Sequence, residues 1–374
     1  MKARLGDYIR EYSVRNKSEE DIPVYSVTNT QGFCQDYFGK EVASKDKSTY
    51  KIVPRGYFAY NPSRINVGSV DWQRYEDSVI VSPLYNVFSV TPELDQQYLF
   101  YYLKSNFALQ RIKAVARGSV RDNLRLEMLY EFPIRIPSIS EQKDIAGKLD
   151  KVKQILSLRE QELSSLDDLI KARFVEMFGD TKSNPFGFEK RPLRETCTVI
   201  TGNTPSRSVP EYYGDSIEWI KTDNIVAGQL NPSQALEYLS DEGVKVGRTV
   251  EKNAILMACI AGSVASIGKV CITDRKVAFN QQINAIVPKD YDSLFLHTML
   301  QLSKEYLVEE VNMALKGILS KSKLESKEFI VPPMNQQKVI AAFVAQVDKS
   351  KSVIQKSLDE TQLLFDSLMQ KYFG

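Results

Sequence analysis

Residues 137–179, PSISEQKDIAGKLDKVKQILSLREQELSSLDDLIKARFVEMFG, and residues 332–374, PPMNQQKVIAAFVAQVDKSKSVIQKSLDETQLLFDSLMQKYFG, lie over each other without a gap. They share Pro137/Pro332, Gln142/Gln337, Lys143/Lys338, Ile145/Ile340, Ala146/Ala341, Leu163/Leu358, Leu169/Leu364 and the closing Phe-Gly. From Leu149 the apolar residues advance by threes and fours: Leu149, Val152, Leu156, Leu163, Leu166, Ile170 and Met177, with Arg159 and Arg173 in the gaps. The second copy keeps the register with Val344, Val347, Ile354, Leu358, Phe365, Leu368 and Tyr372, and its gaps are Lys351 and Thr361. That is the a/d seam of a coiled coil, held over about four heptads. The interruptions are complementary: Arg159 and Arg173 correspond to Ile354 and Leu368, whereas Leu156 and Leu166 correspond to Lys351 and Thr361. Two helices of this chain pairing antiparallel fit better than each with its own copy.

Each helix is predicted to open just after proline, at Ser140 with Glu141-Gln142 or at Asn335 with Gln336-Gln337. Each closes at glycine. Nearly 40 residues make a rod of about 58 Å at 1.5 Å per residue, longer than a domain of this size needs, which suits a strut. Core helices of two tandem domains, or a homodimerising coiled coil, are the competing readings.

The repetition extends beyond the helices. Residues 50–90 and 249–288 both place a turn residue before a short apolar run, Gly56-Tyr57-Phe58 and Asn253-Ala254-Ile255. Both continue with Val67-Gly68-Ser69-Val70 or Ile267-Gly268-Lys269-Val270, then a strand carrying Asn86 or Asn284. Short β-prone runs punctuated by Gly, Pro and Asn indicate a curled β module. An apolar helix follows each, then a loop at Gly118 or Gly317. The expected fold is α+β with a pseudo-two-fold internal repeat: a β-rich domain at 1–136, a spacer helix at 137–180, a second domain at 181–331 and a second spacer at 332–374.

The 374 residues suffice for two cores, and 43% hydrophobic with 26% charged residues is ordinary for folded proteins. No apolar run is long enough to span a membrane, and the charged start MKARLGDYIREYSVRNKSEED does not read as a signal peptide. Cys34, Cys197, Cys259 and Cys271 are scattered, neither a disulfide framework nor a zinc site, which suits a reducing cytoplasm. No catalytic constellation stands out. His297 sits in the apolar helix LFLHTMLQL and reads as a packed or surface histidine. GSVASIGKV at 262–270 imitates a phosphate loop, but five residues separate Gly262 from Gly268, and Val270 stands where Ser or Thr would hold magnesium; it reads as a β-turn-β segment. Asn61-Pro62-Ser63, Asn184-Pro185-Phe186 and Asn231-Pro232-Ser233 are turn formers, none of them the Asn-Pro-Pro-aromatic tetrapeptide of amino-methyltransferases.

With GNTPSRSVPEYYGDSIEWIKTDNI opening the second half, IPSISEQKDIAGKLDKV starting the first strut and GYFAYNPSRINVGSV in the first domain, the chain resembles the specificity subunit of type I restriction–modification systems. It departs from that family at Asn335-Gln336-Gln337, where an acidic residue more often precedes the glutamine. The resemblance implies a non-catalytic chain that reads an asymmetric bipartite site in double-stranded DNA. Its implied partners are two methyltransferase subunits and restriction/translocase subunits, with S-adenosylmethionine, ATP and Mg²⁺ held by those partners and none by this chain. The specificity chain of a fused cleavage–methylation system, or a coiled-coil interaction scaffold, would share the layout. Base edges in the major groove are read by bidentate or short polar side chains on shaped loops. The candidates are Asn61, Ser63, Arg64 and Asn66 in the first domain and Thr204, Ser206, Arg207, Lys221 and Asn224 in the second. Tyr12, Tyr60, Trp72 and Tyr212 could pack on sugars or bases, although aromatics more often fill cores.

Overall fold

The computed structural model describes residues 3–35, 46–116, 123–263, 265–309, 311 and 317–374. The chain divides into two compact units, Met1–Glu160 with Ser357–Gly374, and Gln161–Lys356.

The first unit is organised by four short strands, Ile9–Glu11 (β1), Phe58–Tyr60 (β2), Val70–Trp72 (β3) and Asn86–Val90 (β4), antiparallel in the order β1-β4-β2-β3. Gly56, in the left-handed region at φ +85°, turns the chain into β2. Phe58 faces Phe88 across the ladder and the rings stack at 5.0 Å. Tyr60 is fully buried; its hydroxyl donates to the Leu124 carbonyl at 3.1 Å and accepts from Asn86 Nδ2 at 2.9 Å. It therefore belongs to the core and is out of reach of a nucleotide. Helix α1 (Gln96–Lys104) is capped by Asp95, which accepts from the Tyr98 amide at 2.9 Å, and Tyr98 to Leu103 are all buried. Gly118 lies outside the described residues.

In the second unit the strands Cys197–Thr201 (β5), Ile255–Ala258 (β6), Val270–Ile272 (β7) and Ile283–Pro288 (β8) take the same order, β5-β8-β6-β7. Asn253, at φ +71°, occupies the left-handed position that Gly56 holds in the first unit. The equivalence read from sequence is therefore one of backbone shape as well. Residues 265–270 of GSVASIGKV run into β7 rather than a helix, which is not the form of a phosphate loop, and Gly317–Ile318 is a short strand paired with Ile260–Ala261. A five-stranded sheet, in the order Tyr213–Gly214, Tyr238–Leu239, Ile217–Ile220, Val277–Phe279, Thr249–Val250, has no counterpart among the described residues of the first unit.

The long helices, Ile139–Phe178 (α2) and Met334–Phe373 (α4), contribute to both units. In the first unit Ile145, Ala146 and Leu149 share a core with Phe365, Leu368, Met369, Tyr372 and Phe373, and Leu156 and Glu160 line one cavity with Gln362 and Phe365. In the second, Phe174 and Phe178 share a core with Ile340 and Val344, and Lys351 Nζ donates to Asp167 at 2.7 Å. In each unit the partner's number falls as the position on α2 rises, so the pairing is antiparallel. Between Ser157 and Ala172, Arg159, Leu163, Leu166 and Ile170 are half-buried and every other residue is exposed. Val152, Val344 and Val347 are buried, and Ile354 and Leu358 are half-buried.

The helix starts differ from the sequence expectation. Ser138, not Ser140, caps α2: its hydroxyl accepts from the Glu141 amide at 3.2 Å, which places Ser140 inside the first turn. At α4 the Pro333 carbonyl takes the amides of Gln336 and Gln337, and Asn335 is helical. The shared glutamines face inward. Gln142 Oε1 accepts from the Asp95 amide at 2.8 Å, and its Nε2 donates to the carbonyls of Glu93 and Pro137 at 2.8 and 2.9 Å. Gln337 repeats this with the Asp292 amide at 2.9 Å and the Asp290 and Pro332 carbonyls at 3.3 and 2.8 Å. Asp292 caps helix α3 (Ser293–Leu302) as Asp95 caps α1, so in each unit one amide side chain ties a strut to the cap of the domain helix.

Candidate nucleic-acid interface

Residues 61–64 form the loop between β2 and a 3-10 turn at Ile65–Val67, which carries Asn66. Asn61 Oδ1 accepts from the amide and hydroxyl of Ser63 at 3.1 and 2.9 Å, an Asx turn that fixes the loop from within. The Leu124 amide donates to the Pro62 carbonyl at 3.1 Å and ties the loop down from outside. Arg64 projects outward, with no ion-pair partner among the described residues, and Asn66 is half-buried beside it. An ordered loop presenting one unpaired guanidinium is suited to a base edge or a phosphate. Beyond it, Arg74 lies 4.4 Å over the Trp72 ring and is tied to Asp71 at 2.5 Å, while Trp72 Nε1 donates to Gln97 at 3.0 Å. Tyr12 packs edge-on against Tyr57 at 5.0 Å.

In the second unit the candidates occupy two loops that the fold brings together. Thr204, Ser206 and Arg207 follow Gly202, where a side chain would collide with the backbone of Asn280. Lys221 and Asn224 follow the strand Ile217–Ile220. Arg207 Nη2 donates to Glu237 Oε2 at 2.6 Å and Lys221 Nζ pairs with Glu237 Oε1, so one carboxylate takes both cations. The Arg207 guanidinium lies 4.3 Å from the Tyr213 ring and 5.2 Å from Trp219, and Lys221 Nζ is 5.0 Å from Trp219. The bond from Lys221, reinforced by that from Arg207, holds the Glu237 carboxyl below the usual glutamate range despite partial burial. Thr204 bonds to Gln281, and Ser206 to Ser208 at 2.7 Å. Asn224 is engaged at both ends of its amide, accepting from the Lys221 amide at 3.0 Å and donating to Ser233 Oγ and the Gln234 carbonyl at 3.2 and 3.1 Å. Tyr212 is half-buried in the 3-10 turn Pro210–Tyr212, immediately before Tyr213.

Sequence reasoning selected the two cations and missed Glu237, Tyr213 and Trp219. Glu237 stands alone in the apolar run ALEYL, and an isolated acid leading into a strand was the available signal. His297 is buried, and neither ring nitrogen meets hydrogen-bond geometry with a partner among the described residues. Burial pushes it down to about 4, against a weak opposing pull from the Val270 carbonyl, so it stands neutral in the core. Burial likewise pushes the thiols of Cys197, Cys259 and Cys271 up to about 12. Among the described residues no group of three His, Cys, Asp or Glu side chains could hold a metal, and no helix is long and apolar enough to cross a membrane.

The type I restriction modification DNA specificity domain matches the chain twice, over residues 6–167 and 185–361. The chain is similar to the type I restriction enzyme HindI specificity subunit of Haemophilus influenzae, at 27% identity over 75% of this chain and 62% of that protein. It is also similar to the MjaIX specificity subunit of Methanocaldococcus jannaschii, at 26% identity over 48% of this chain and 43% of that protein. The chain thus spans less than two-thirds of the length of these relatives. Its fold resembles that of the type I restriction–modification S subunit from M. genitalium, with a TM-score of 0.59 and 14% identity over 100% of this chain and 96% of the other. A chain solved in a study of complex assembly and conformational transition of the type I R-M system gives 0.58 at 18% identity, over 100% and 97%. Matched in both halves over most of its length, the chain belongs to the family of the type I restriction modification DNA specificity domain.

Proposed function

We propose that this chain is the DNA-recognition subunit of a type I restriction–modification complex, reading an asymmetric bipartite site with one unit per half-site. The observation that carries the reading is the duplicated specificity domain, in which one four-strand order is kept while the cation-bearing loops differ. Arg64 has no ion-pair partner among the described residues of the first unit, whereas Arg207 and Lys221 share Glu237 in the second, so the two halves present different chemistry to a base edge. Catalysis, with its S-adenosylmethionine, ATP and Mg²⁺, is assigned to other chains, two methyltransferase subunits and the restriction/translocase subunits, working in the cytoplasm. The long helices suit docking of the methyltransferases: off the seam, Leu158, Leu169, Val353, Leu363 and Leu364 are from 47% to 71% exposed.

The test is to express the chain with its methyltransferase in a host lacking other adenine methylation and to sequence the methylome. A two-part motif absent from cells with the methyltransferase alone is expected, together with duplex binding that weakens steeply as KCl rises. A pure scaffold would yield neither.

A further inference from the structure

We propose that Glu237 is a specificity-determining residue of the second half-site: its carboxylate withholds Arg207 and Lys221 from phosphates and itself accepts from the amino group of a cytosine. This rests on the DNA-reading function above, and the experiment below separates the two.

The geometry is that of a clamp facing solvent. Both carboxylate oxygens are in use, one on each cation, yet the side chains of Arg207, Lys221 and Glu237 are 56%, 35% and 34% exposed. The cluster is thus internally bonded and open enough to be reached. Its base is rigid: the Trp219 amide donates to the Glu237 carbonyl at 3.0 Å, and the next two residues, Tyr238–Leu239, pair with the strand Ile217–Ile220. The Arg207 guanidinium also lies against the Tyr213 ring and Lys221 Nζ against the Trp219 ring, so each cation has an aromatic contact besides the carboxylate. Leu236, beside the acid, is 99% exposed, an apolar side chain without cover at the edge of a charged cluster.

An ionised carboxylate only accepts, and in the major groove its matching donor is the cytosine N4 amino group, while guanine O6 and N7 match arginine. On a correct half-site the three side chains exchange their mutual bonds for a G·C edge. On any other sequence the cations can reach phosphates only by leaving an unpaired carboxylate against a polyanion. The penalty falls on wrong DNA, which is specificity by repulsion as well as attraction.

The full chain with its methyltransferase is assayed as wild type, Glu237→Gln and Glu237→Asp, by methylome sequencing and by binding of cognate and non-cognate duplexes across a KCl series. Glu237→Gln should bind non-cognate duplex roughly tenfold more tightly at low salt, with a log–log salt slope steeper by about 1–2 as the cations turn to phosphates. The methylated motif should lose its requirement at one G·C pair of the second half-site and keep the first half-site unchanged. Glu237→Asp, which keeps the charge, should retain the motif. A second half-site without a G·C pair, an unchanged motif and binding ratio in Glu237→Gln, or equal relaxation in Glu237→Asp overturns the role of Glu237 alone. Failure of the wild type to direct methylation overturns the DNA-reading function instead.

Discussion

Gln142 and Gln337 are 0% and 1% exposed, and each side chain completes three hydrogen bonds to backbone groups. Truncating either removes three hydrogen bonds and leaves a hole where a buried side chain stood, so alanine at each should cost about 2–4 kcal/mol. The chain's two tryptophans fall one to a unit, Trp72 and Trp219. In urea titrations of single-tryptophan variants, Gln142→Ala should therefore lower the midpoint reported by Trp72, and Gln337→Ala the one reported by Trp219. His297 gives a pH dependence of definite sign. Its folded value is about 4 against an ordinary 6.5, so between these the unfolded chain takes up a proton that the folded chain refuses. The Trp219 transition should weaken as pH falls from about 6.5 toward 4, by about 3 kcal/mol at most, and be flat in this respect above. Asp348, on the same cavity and pushed up by burial, acts with opposite sign, so the histidine is isolated by difference. Replacing His297 with phenylalanine, which α1 carries at Phe100, five residues after its capping aspartate, should remove that part of the slope.

At the scale of elements, the struts were legible because their information is local: a seam repeating every three or four residues fixes both the helix and its buried face. What period cannot assign is the cap, since Ser138 and Ser140 flank Ile139 equally well and only the Glu141 amide distinguishes them. The strands were legible as a repeat of Gly56/Asn253 and Gly68/Gly268, all four in left-handed backbone, whereas their order arises from pairings between distant residues. The five-stranded sheet escaped notice for the same reason, being made of strands of two to four residues. Arg207 and Lys221 could be chosen by residue type, but the carboxylate that holds them lies 30 and 16 residues away in sequence. Burial along α2 is uneven, and this sets a prediction. Leu149→Ala, at a site without solvent exposure, should cost about 2–5 kcal/mol by urea unfolding, while Leu163→Ala, half-buried, should cost under about 1.5 kcal/mol.

For the whole molecule, duplication has kept what holds each unit together and varied what each unit presents. The glutamine lock, the capping aspartate and the four-strand order recur, while the cations meet different partners. The first unit also borrows from far along the chain: Tyr98 and Tyr102 pack on Phe373 at 5.1 and 6.2 Å, and Tyr101 on Phe365 at 6.2 Å. On the ribosome this inverts the usual order of completion. The unit begun first stays open at that aromatic cluster while the whole of the second emerges, a wait of about 10–40 s at roughly 5–20 residues per second. Released chains truncated after residue 356 would carry a finished younger unit and an unfinished elder one, with unsheltered tyrosines for chaperones to guard.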